Sequence, residues 1–230
     1  MPADPVPVLE LDSVSKLFGR VAALREVTAS FAPGRLYGVF GENGAGKSTL
    51  LRLIAGLARP SRGRILRWSS DDLHPALARM GYMGHASLLY DELTALENLR
   101  YFARLYGLAV PRACEDAIAS VGLDSALSRR VGDYSQGMRQ RLSLARALVH
   151  GPDLLLLDEP FSNVDAGSAA SMAARLGRLR DSGKTIFVVT HQPAHLEAVA
   201  DESLWIASGE IAARQPGTHA ALPAPPAVQP

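Results

Sequence analysis

The feature that most constrains this chain is a glycine-rich octapeptide at residues 41–48, which reads Gly-Glu-Asn-Gly-Ala-Gly-Lys-Ser. It satisfies the pattern GxxxxGK followed by Ser or Thr. An apolar segment at 35–40 precedes it, and a segment at 48–57 with apolar residues at helical spacing follows it. A strand, a loop and a helix in this order surround an anion with backbone N–H groups and the positive end of a helix dipole. The sequence therefore predicts a nucleoside triphosphate site rather than a chance glycine-rich turn.

Two side chains of this loop have chemical roles in that prediction. Lys47 is expected to reach the β- and γ-phosphates, and the Ser48 hydroxyl is expected to ligate Mg²⁺. The predicted nucleotide contacts in this segment are Gly41, Glu42, Asn43, Gly44, Ala45, Gly46, Lys47, Ser48 and Thr49.

A pair of carboxylates follows the most apolar segment of the chain. Four leucines at 154–157 are typical of a strand buried on both faces of a parallel sheet, and Asp158, Glu159 and Pro160 come directly after them. Such a strand ends at the sheet edge that carries the phosphate loop, so we expect Asp158 to hold Mg²⁺ through water. Glu159 is expected to point to the other face of the strand and to act as general base toward the attacking water. The alternative is that these carboxylates only begin an acidic surface loop. The presence of the phosphate loop earlier in the chain disfavours it.

A histidine completes the predicted catalytic set. His191 follows the apolar segment 185–190, which is a further predicted strand. A neutral imidazole at that strand end can donate a hydrogen bond to a γ-phosphate oxygen and hold the water against Glu159.

Strand and helix signals alternate along most of the chain, which predicts an α/β fold with a mostly parallel, doubly wound sheet. Residues 1–214 are expected to form one domain, with a core at about 8–80 and 151–213 and a helical subdomain inserted at about 81–150. A disordered tail rich in Pro and Ala is expected at 215–230. The predicted strands are 8–11, 35–40, 63–68, 154–157, 185–190 and 203–207; the predicted helices are 48–57, 95–106, 113–121, 136–149, 166–180 and 194–199.

Composition excludes several other classes of function. The 24 basic and 23 acidic residues give a net charge of +1, which disfavours a nucleic-acid partner. A single cysteine excludes an intrachain disulfide and a cysteine-rich zinc site. No segment approaches the ~20 apolar residues of a membrane helix, so we expect a soluble chain whose membrane role would require a partner.

The segment at 134–141, Tyr-Ser-Gln-Gly-Met-Arg-Gln-Arg, resembles the signature of ABC ATPases, which is usually LSGGQ followed by a basic residue. Together with the phosphate loop and the carboxylate pair, it makes the chain similar to this family from about residue 8 to residue 213. The resemblance implies a P-loop NTPase fold, ATP and Mg²⁺ as cofactors, and ATP hydrolysis coupled to transport.

The resemblance also implies roles for residues outside the phosphate loop. Phe18 matches the aromatic residue that stacks on adenine, and Asp165 lies in the segment that contacts a partner subunit. The segment Ser135, Gln136 and Gly137 matches the signature residues that bind the γ-phosphate of an ATP held by the opposite subunit. A homodimer or heterodimer of ATPase subunits with two ATPs between them is therefore expected.

Three positions depart from the family pattern. His85 stands where the family has a glutamine that contacts Mg²⁺ and the attacking water. Gln136 replaces the first signature glycine, and Asn163 with Val164 replaces the commoner Ala-Leu pair. An imidazole can still bind water or metal, with a shorter reach than glutamine. A catalytically weak or regulatory subunit is therefore an open alternative.

Because we expect no membrane segment in this chain, transport would require separate integral membrane subunits. Residues 87–99 are expected to line the groove where such a subunit docks, and an amphipathic surface segment without a partner is the alternative. We expect a peripheral location on the cytoplasmic face of the inner membrane. A soluble ABC ATPase acting on DNA or ribosomes is disfavoured, because 230 residues leave no room for tandem cassettes.

Within the family, the segments 84–85, 93–99 and 134–141 most resemble the ATPase subunit of the haem exporters of cytochrome c maturation. Drug, lipid and polysaccharide exporters share most of these residues and remain alternatives.

Overall fold

The computed structural model describes residues 6–108, 111–126 and 128–217, which form two sheets and six α-helices. The strands are β1 (Leu9–Phe18), β2 (Val21–Phe31), β3 (Leu36–Phe40), β4 (Arg62–Arg67), β5 (Met80–Met83), β6 (Leu154–Asp158), β7 (Thr185–Val189), β8 (Glu202–Ala207) and β9 (Glu210–Pro216). The helices are α1 (Lys47–Ile54), α2 (Leu73–Leu77), α3 (Ala95–Leu105), α4 (Pro111–Ser120), α5 (Gln136–Leu148) and α6 (Ala166–Asp181).

The larger sheet has the strand order β5-β6-β7-β3-β8-β9. Its first five strands are parallel, and β9 pairs antiparallel with β8 at the edge. Every residue of β3, β6 and β7 is buried, because helices cover both faces of these central strands. The phosphate loop follows β3 and the carboxylates follow β6, so the topology places both at the carboxyl edge of one sheet.

The smaller sheet is antiparallel, with the order β2-β1-β4. Its inner face shares a hydrophobic cluster with α1 and with one face of the larger sheet; Phe31, Tyr37 and Phe187 form the aromatic centre of this cluster. Helix α1 is therefore enclosed between the two sheets, which fixes the position of the phosphate loop at its start.

Helices α3, α4 and α5 pack against one another and contribute to a second hydrophobic cluster, which also includes residues of the larger sheet and of α6. Helix α3 begins with a capping box, in which the Thr94 hydroxyl accepts from the Glu97 N–H and the Glu97 carboxylate accepts from the Thr94 N–H. Among the described residues, none of the helices combines the length and the apolar character that crossing a bilayer requires.

Several details of the predicted organisation are wrong. Strand β5, Met80–Met83, belongs to the larger sheet beside β6, so residues 81–83 are part of the core and not of a helical insertion. The predicted helix at 194–199 is only a single 3₁₀ turn, Pro193–His195. Gln215 and Pro216, assigned to the tail, end strand β9; residues 218–230 of the predicted tail lie outside the described residues. The domain bounds otherwise stay a prediction.

Candidate functional site

The phosphate loop is enclosed by backbone from both sheets. Gly41 and Gly46 have φ angles of 144° and 112°, in the region that favours glycine. A Cβ at Gly41 would clash with the Ile206 carbonyl oxygen of β8, and one at Gly46 would clash with the Ala23 carbonyl oxygen of β2. The close approach of these strands explains why this loop needs glycine at both positions.

Lys47, the first residue of α1, is folded across the loop. Its Nζ donates hydrogen bonds of 2.8 Å to the carbonyl oxygens of Gly41 and Glu42, and the residue is 6% exposed. Burial lowers the pKa of Lys47, against the opposite influence of Glu159 and Asp158. An ammonium group buried in this way is suited to an anionic ligand, because phosphate oxygens would compensate for its lost hydration.

Ser48 and Asp158 meet across the gap between α1 and β6. The Ser48 hydroxyl donates a 2.9 Å hydrogen bond to Oδ1 of Asp158. Burial raises the pKa of Asp158, while the Ser48 hydrogen bond and, to a smaller extent, His85 lower it. A hydroxyl and a carboxylate fit Mg²⁺, which binds to few protein oxygens and completes its shell with waters and phosphates. The described residues contain no cluster of three or more His, Cys, Asp or Glu side chains that would hold a metal without a nucleotide.

The backbone departs from the extended strand conformation at Glu159, immediately after β6. Its φ angle is 54°, in the left-handed region, and its N–H donates a 2.9 Å hydrogen bond to the Val189 carbonyl of β7. Strand alternation, from which we predict that Glu159 points to the other face, therefore does not apply at this residue. A left-handed turn, held to the neighbouring strand, sets its direction instead.

His191 bonds directly to Glu159. Its Nδ1 lies 2.9 Å from Oε2 of Glu159, and its Nε2 lies 3.2 Å from the side-chain amide nitrogen of Gln192. With a proton on Nδ1 the ring donates to the carboxylate and accepts from Gln192. In this arrangement Nε2 has no proton to donate. The predicted hydrogen bond from His191 to a γ-phosphate oxygen therefore requires the ring to change partner or to gain a proton. Gln192 was not predicted to take part in the site, because it belongs to none of the recognised motifs.

A cleft of about 940 Å³ lies at the carboxyl edge of the larger sheet, between His191 and the phosphate loop. One wall is the phosphate loop at 41–45, and the other comprises Thr190, His191 and residues 205–208. The cleft therefore brings together a phosphate cradle and a histidine that is bonded to a carboxylate.

Comparisons with known proteins agree with this arrangement. The family model described as ABC transporter matches residues 24–162. The chain is 40% identical over 198 residues to the ABC transporter ATP-binding protein NatA of Bacillus subtilis, a match that covers 83% of this chain and 80% of that protein. It is 33% identical over 208 residues to the Nod factor export ATP-binding protein I of Cupriavidus metallidurans, covering 88% of this chain and 69% of that protein. The chain belongs to the ABC transporter family.

A solved structure supports the same fold. The ATP-binding cassette MJ0796, described as dimeric, in a post-hydrolysis state and bound to ADP and Pi, superposes with a TM-score of 0.81. It is 24% identical, and the match covers 91% of this chain and 99% of that chain. The predicted α/β P-loop NTPase fold is confirmed, and this ABC protein is an ATPase. Neither relative named above is named for haem.

The signature residues of this ABC ATPase lie at the start of α5. Ser135 is the N-cap of the helix, and its hydroxyl accepts a hydrogen bond from the Met138 N–H at 3.4 Å. Gln136 and Gly137 form the first turn, and a Cβ at Gly137 would lie 3.1 Å from the Ser168 hydroxyl of α6. These residues are not among those that line the cleft.

Asp165 has a local structural role that was not predicted from the sequence. It is the N-cap of α6, where its carboxylate accepts from the N–H and the hydroxyl of Ser168 at 2.9 and 2.7 Å. These bonds hold the pKa of Asp165 below its usual value. Its predicted contact with a partner subunit stays a prediction.

The remaining two predicted residues are exposed. His85 lies in the loop after β5, within electrostatic range of Asp158. Phe18 ends β1, is 55% exposed and has the Lys16 ammonium 5.0 Å from its ring centre. Its role as the adenine platform stays a prediction.

Proposed function

We propose that this ABC ATPase cleaves ATP in its cleft and powers export through separate membrane subunits. The observation that carries the proposal is the convergence of two contacts at one sheet edge. One joins Ser48 to Asp158, and the other joins His191 to Glu159. A phosphate group held by Lys47 would lie between a metal-binding pair and a candidate base.

The chain's own groups suffice to describe the hydrolytic step. Water attacks the γ-phosphorus, the bond to the β,γ-bridging oxygen breaks, and the Glu159 carboxylate takes the proton of the attacking water. His191 holds Glu159 in place and, once it releases Gln192, can face the γ-phosphate. Mg²⁺ bound at Ser48 and Asp158 would neutralise charge on the phosphates.

We further propose that two cassettes enclose the nucleotides. The MJ0796 cassette is described as a dimer, and the signature residue Ser135 caps the start of α5 and is not among the residues that line this chain's cleft. A helix start with free N–H groups suits a phosphate held by a second subunit. His85 would contact the water or metal in place of glutamine.

An exposed apolar surface supports docking to a membrane subunit and a peripheral location at the cytoplasmic face of the inner membrane. Tyr90 and Tyr101 pack edge to face, with ring centres 5.1 Å apart, and both stay partly exposed. Contiguous exposed apolar groups of this kind mark interaction surfaces. The same two segments of chain expose the further apolar side chains Leu88, Leu105 and Tyr106.

The identity of the transported molecule is the most specific part of the proposal. The resemblance of residues 84–85, 93–99 and 134–141 supports haem for cytochrome c maturation, whereas the relative from Cupriavidus metallidurans is named for Nod factor export. Export of a drug, lipid or polysaccharide is therefore the second candidate. Purification with the membrane subunits, followed by a measurement of which compound stimulates ATP hydrolysis, distinguishes the two.

The substitution Glu159→Gln tests the central proposal. We expect ATP hydrolysis to fall by roughly 100-fold or more, because the amide cannot accept the proton, while binding of a fluorescent ATP analogue is retained. Glu210→Gln, on the exposed edge strand β9, is the matched control and should keep the wild-type rate. An unchanged rate in Glu159→Gln would remove Glu159 from its role. Tight ATP binding with a negligible wild-type rate would favour the regulatory alternative.

A further inference from the structure

One face of α5 carries a row of polar side chains that are buried and that bind backbone carbonyls of other segments. Gln140, Ser143 and Arg146 are three residues apart, so they lie on the same face of the helix. Their exposed fractions are 8%, 0% and 9%. The acceptors are the carbonyl oxygens of Ser162, Ser87 and Tyr82, in that order.

Two of these bonds hold the ends of the segment that contains His85. The Arg146 guanidinium donates to the Tyr82 carbonyl at 2.9 Å, and the Ser143 hydroxyl donates to the Ser87 carbonyl at 3.3 Å. Residues 82 and 87 flank His85 on either side, and residues 84–86 between these anchors are exposed or half-buried. Helix α5 therefore holds both ends of the segment that carries His85, and the pairing of β5 with β6 also holds the Tyr82 end.

The burial of Arg146 at this position is unfavourable for the free energy of folding. Its charge is buried, the face of Phe102 lies 5.2 Å from the guanidinium carbon, and Nε has no hydrogen-bond partner in the described part of the chain. Nor do the described residues supply a carboxylate that pairs with it. A buried cation without such a pair destabilises the fold relative to an apolar side chain, so packing alone does not explain an arginine here.

We propose that Ser143 and Arg146 are positioning residues, which hold the His85 segment in register with the signature residues at the start of the same helix. The proposal rests on the proposed function, in which Ser135 contacts the nucleotide of a second subunit. Ser135 directly precedes α5, and a helix of this length moves as a rigid rod. A displacement of the signature residues is therefore transmitted to the His85 segment through Ser143 at Ser87 and through Arg146 at Tyr82, and the Ser87 end is the one that lies outside the sheet.

The test is a double-mutant cycle with Ser143→Ala and His85→Ala, measured as single-turnover ATP hydrolysis with excess enzyme. We expect Ser143→Ala to lower the rate constant roughly 10-fold, since a small displacement of a reacting group is enough for such a loss. Binding of the fluorescent ATP analogue should not change. In the His85→Ala background, Ser143→Ala should cause no further loss. Ser182→Ala removes a hydroxyl that bonds to a carbonyl of its own helix, α6, and is the matched control.

Arg146→Lys provides a second arm, because it keeps the charge and loses the planar donor group. If this variant fails to fold, the Ser143 cycle decides alone. Equal losses from Ser143→Ala with and without His85, an unchanged rate in Ser143→Ala or His85→Ala, or weaker nucleotide binding in Ser143→Ala would each overturn the inference. These outcomes are distinct from failure of the proposed function, which Glu159→Gln reports independently.

Discussion

Burial acts on Lys47 and Asp158 in the same sense, since it disfavours the charged form of each. It lowers the pKa of the ammonium and raises the pKa of the carboxylate. The protein's own hydrogen bonds and neighbouring charges offset this burial only in part and leave further compensation to be supplied. A phosphate next to the ammonium and a cation next to the carboxylate would supply it, so the site is arranged to gain free energy from both ligands together.

The lysine gives a prediction at the scale of a single residue. Mg²⁺-ATP should raise the melting temperature of the wild-type protein, because a ligand that binds only the folded state stabilises it by about 2.7 kcal/mol at 100 times Kd. In Lys47→Ala this ligand-dependent rise should disappear, as measured by differential scanning fluorimetry. Lys184→Ala is the control, since Lys184 likewise donates to a backbone carbonyl but outside the cleft. An equal rise in Lys47→Ala would contradict the phosphate-binding role.

The candidate site was predictable where a motif fixes a position and not where backbone geometry does. Lys47, Ser48 and Asp158 come together as expected, because each occupies a set place relative to a strand or helix. The direction of Glu159 was not predictable, since it depends on a left-handed φ angle that this residue type rarely adopts. The bond between His191 and Gln192 was equally invisible, because it depends on rotamers.

Helix α6 provides the prediction at the scale of an element. Asp165→Ala should lower the melting temperature, because the cap of α6 is lost, whereas Asp165→Asn should preserve it, since asparagine caps as well as aspartate. If Asp165 also contacts a second subunit as predicted, Asp165→Asn should reduce ATP hydrolysis at an unchanged melting temperature. Thermal denaturation and steady-state rates of both variants make the comparison. A melting temperature that is unchanged in Asp165→Ala would rule out the cap.

Strands were predicted well where they are buried on both faces and poorly at the edges. The leucines of β6 form a continuous apolar run, which is typical of a central parallel strand. Strand β9 alternates between exposed and half-buried residues and carries mostly polar or small side chains, so it has little apolar signal. In β2 the register against β1 shifts and Glu26 has a φ angle of 44°, which breaks the alternation that predicts a strand.

The whole molecule gives a prediction about assembly. Glu159→Gln with Mg²⁺-ATP should form a dimer of about twice the 24.5 kDa chain mass, because bound nucleotide joins the subunits and is not cleaved. Sedimentation velocity measures the mass, and ADP should leave the protein monomeric. The double variant Lys47→Ala with Glu159→Gln is the control and should stay monomeric with ATP. A Glu159→Gln protein that binds ATP and remains monomeric would contradict a homodimer and favour pairing with a different cassette.

The phosphate loop touches a strand of each sheet, β8 at Gly41 and β2 at Gly46, with no space for even one added carbon atom. The two sheets consequently cannot slide past each other without distorting the cradle. Damage deep in the smaller sheet, far from any phosphate, would reach the ligand as a loss of affinity. The affinity for nucleotide therefore depends on how firmly the antiparallel sheet is packed against the rest of the domain.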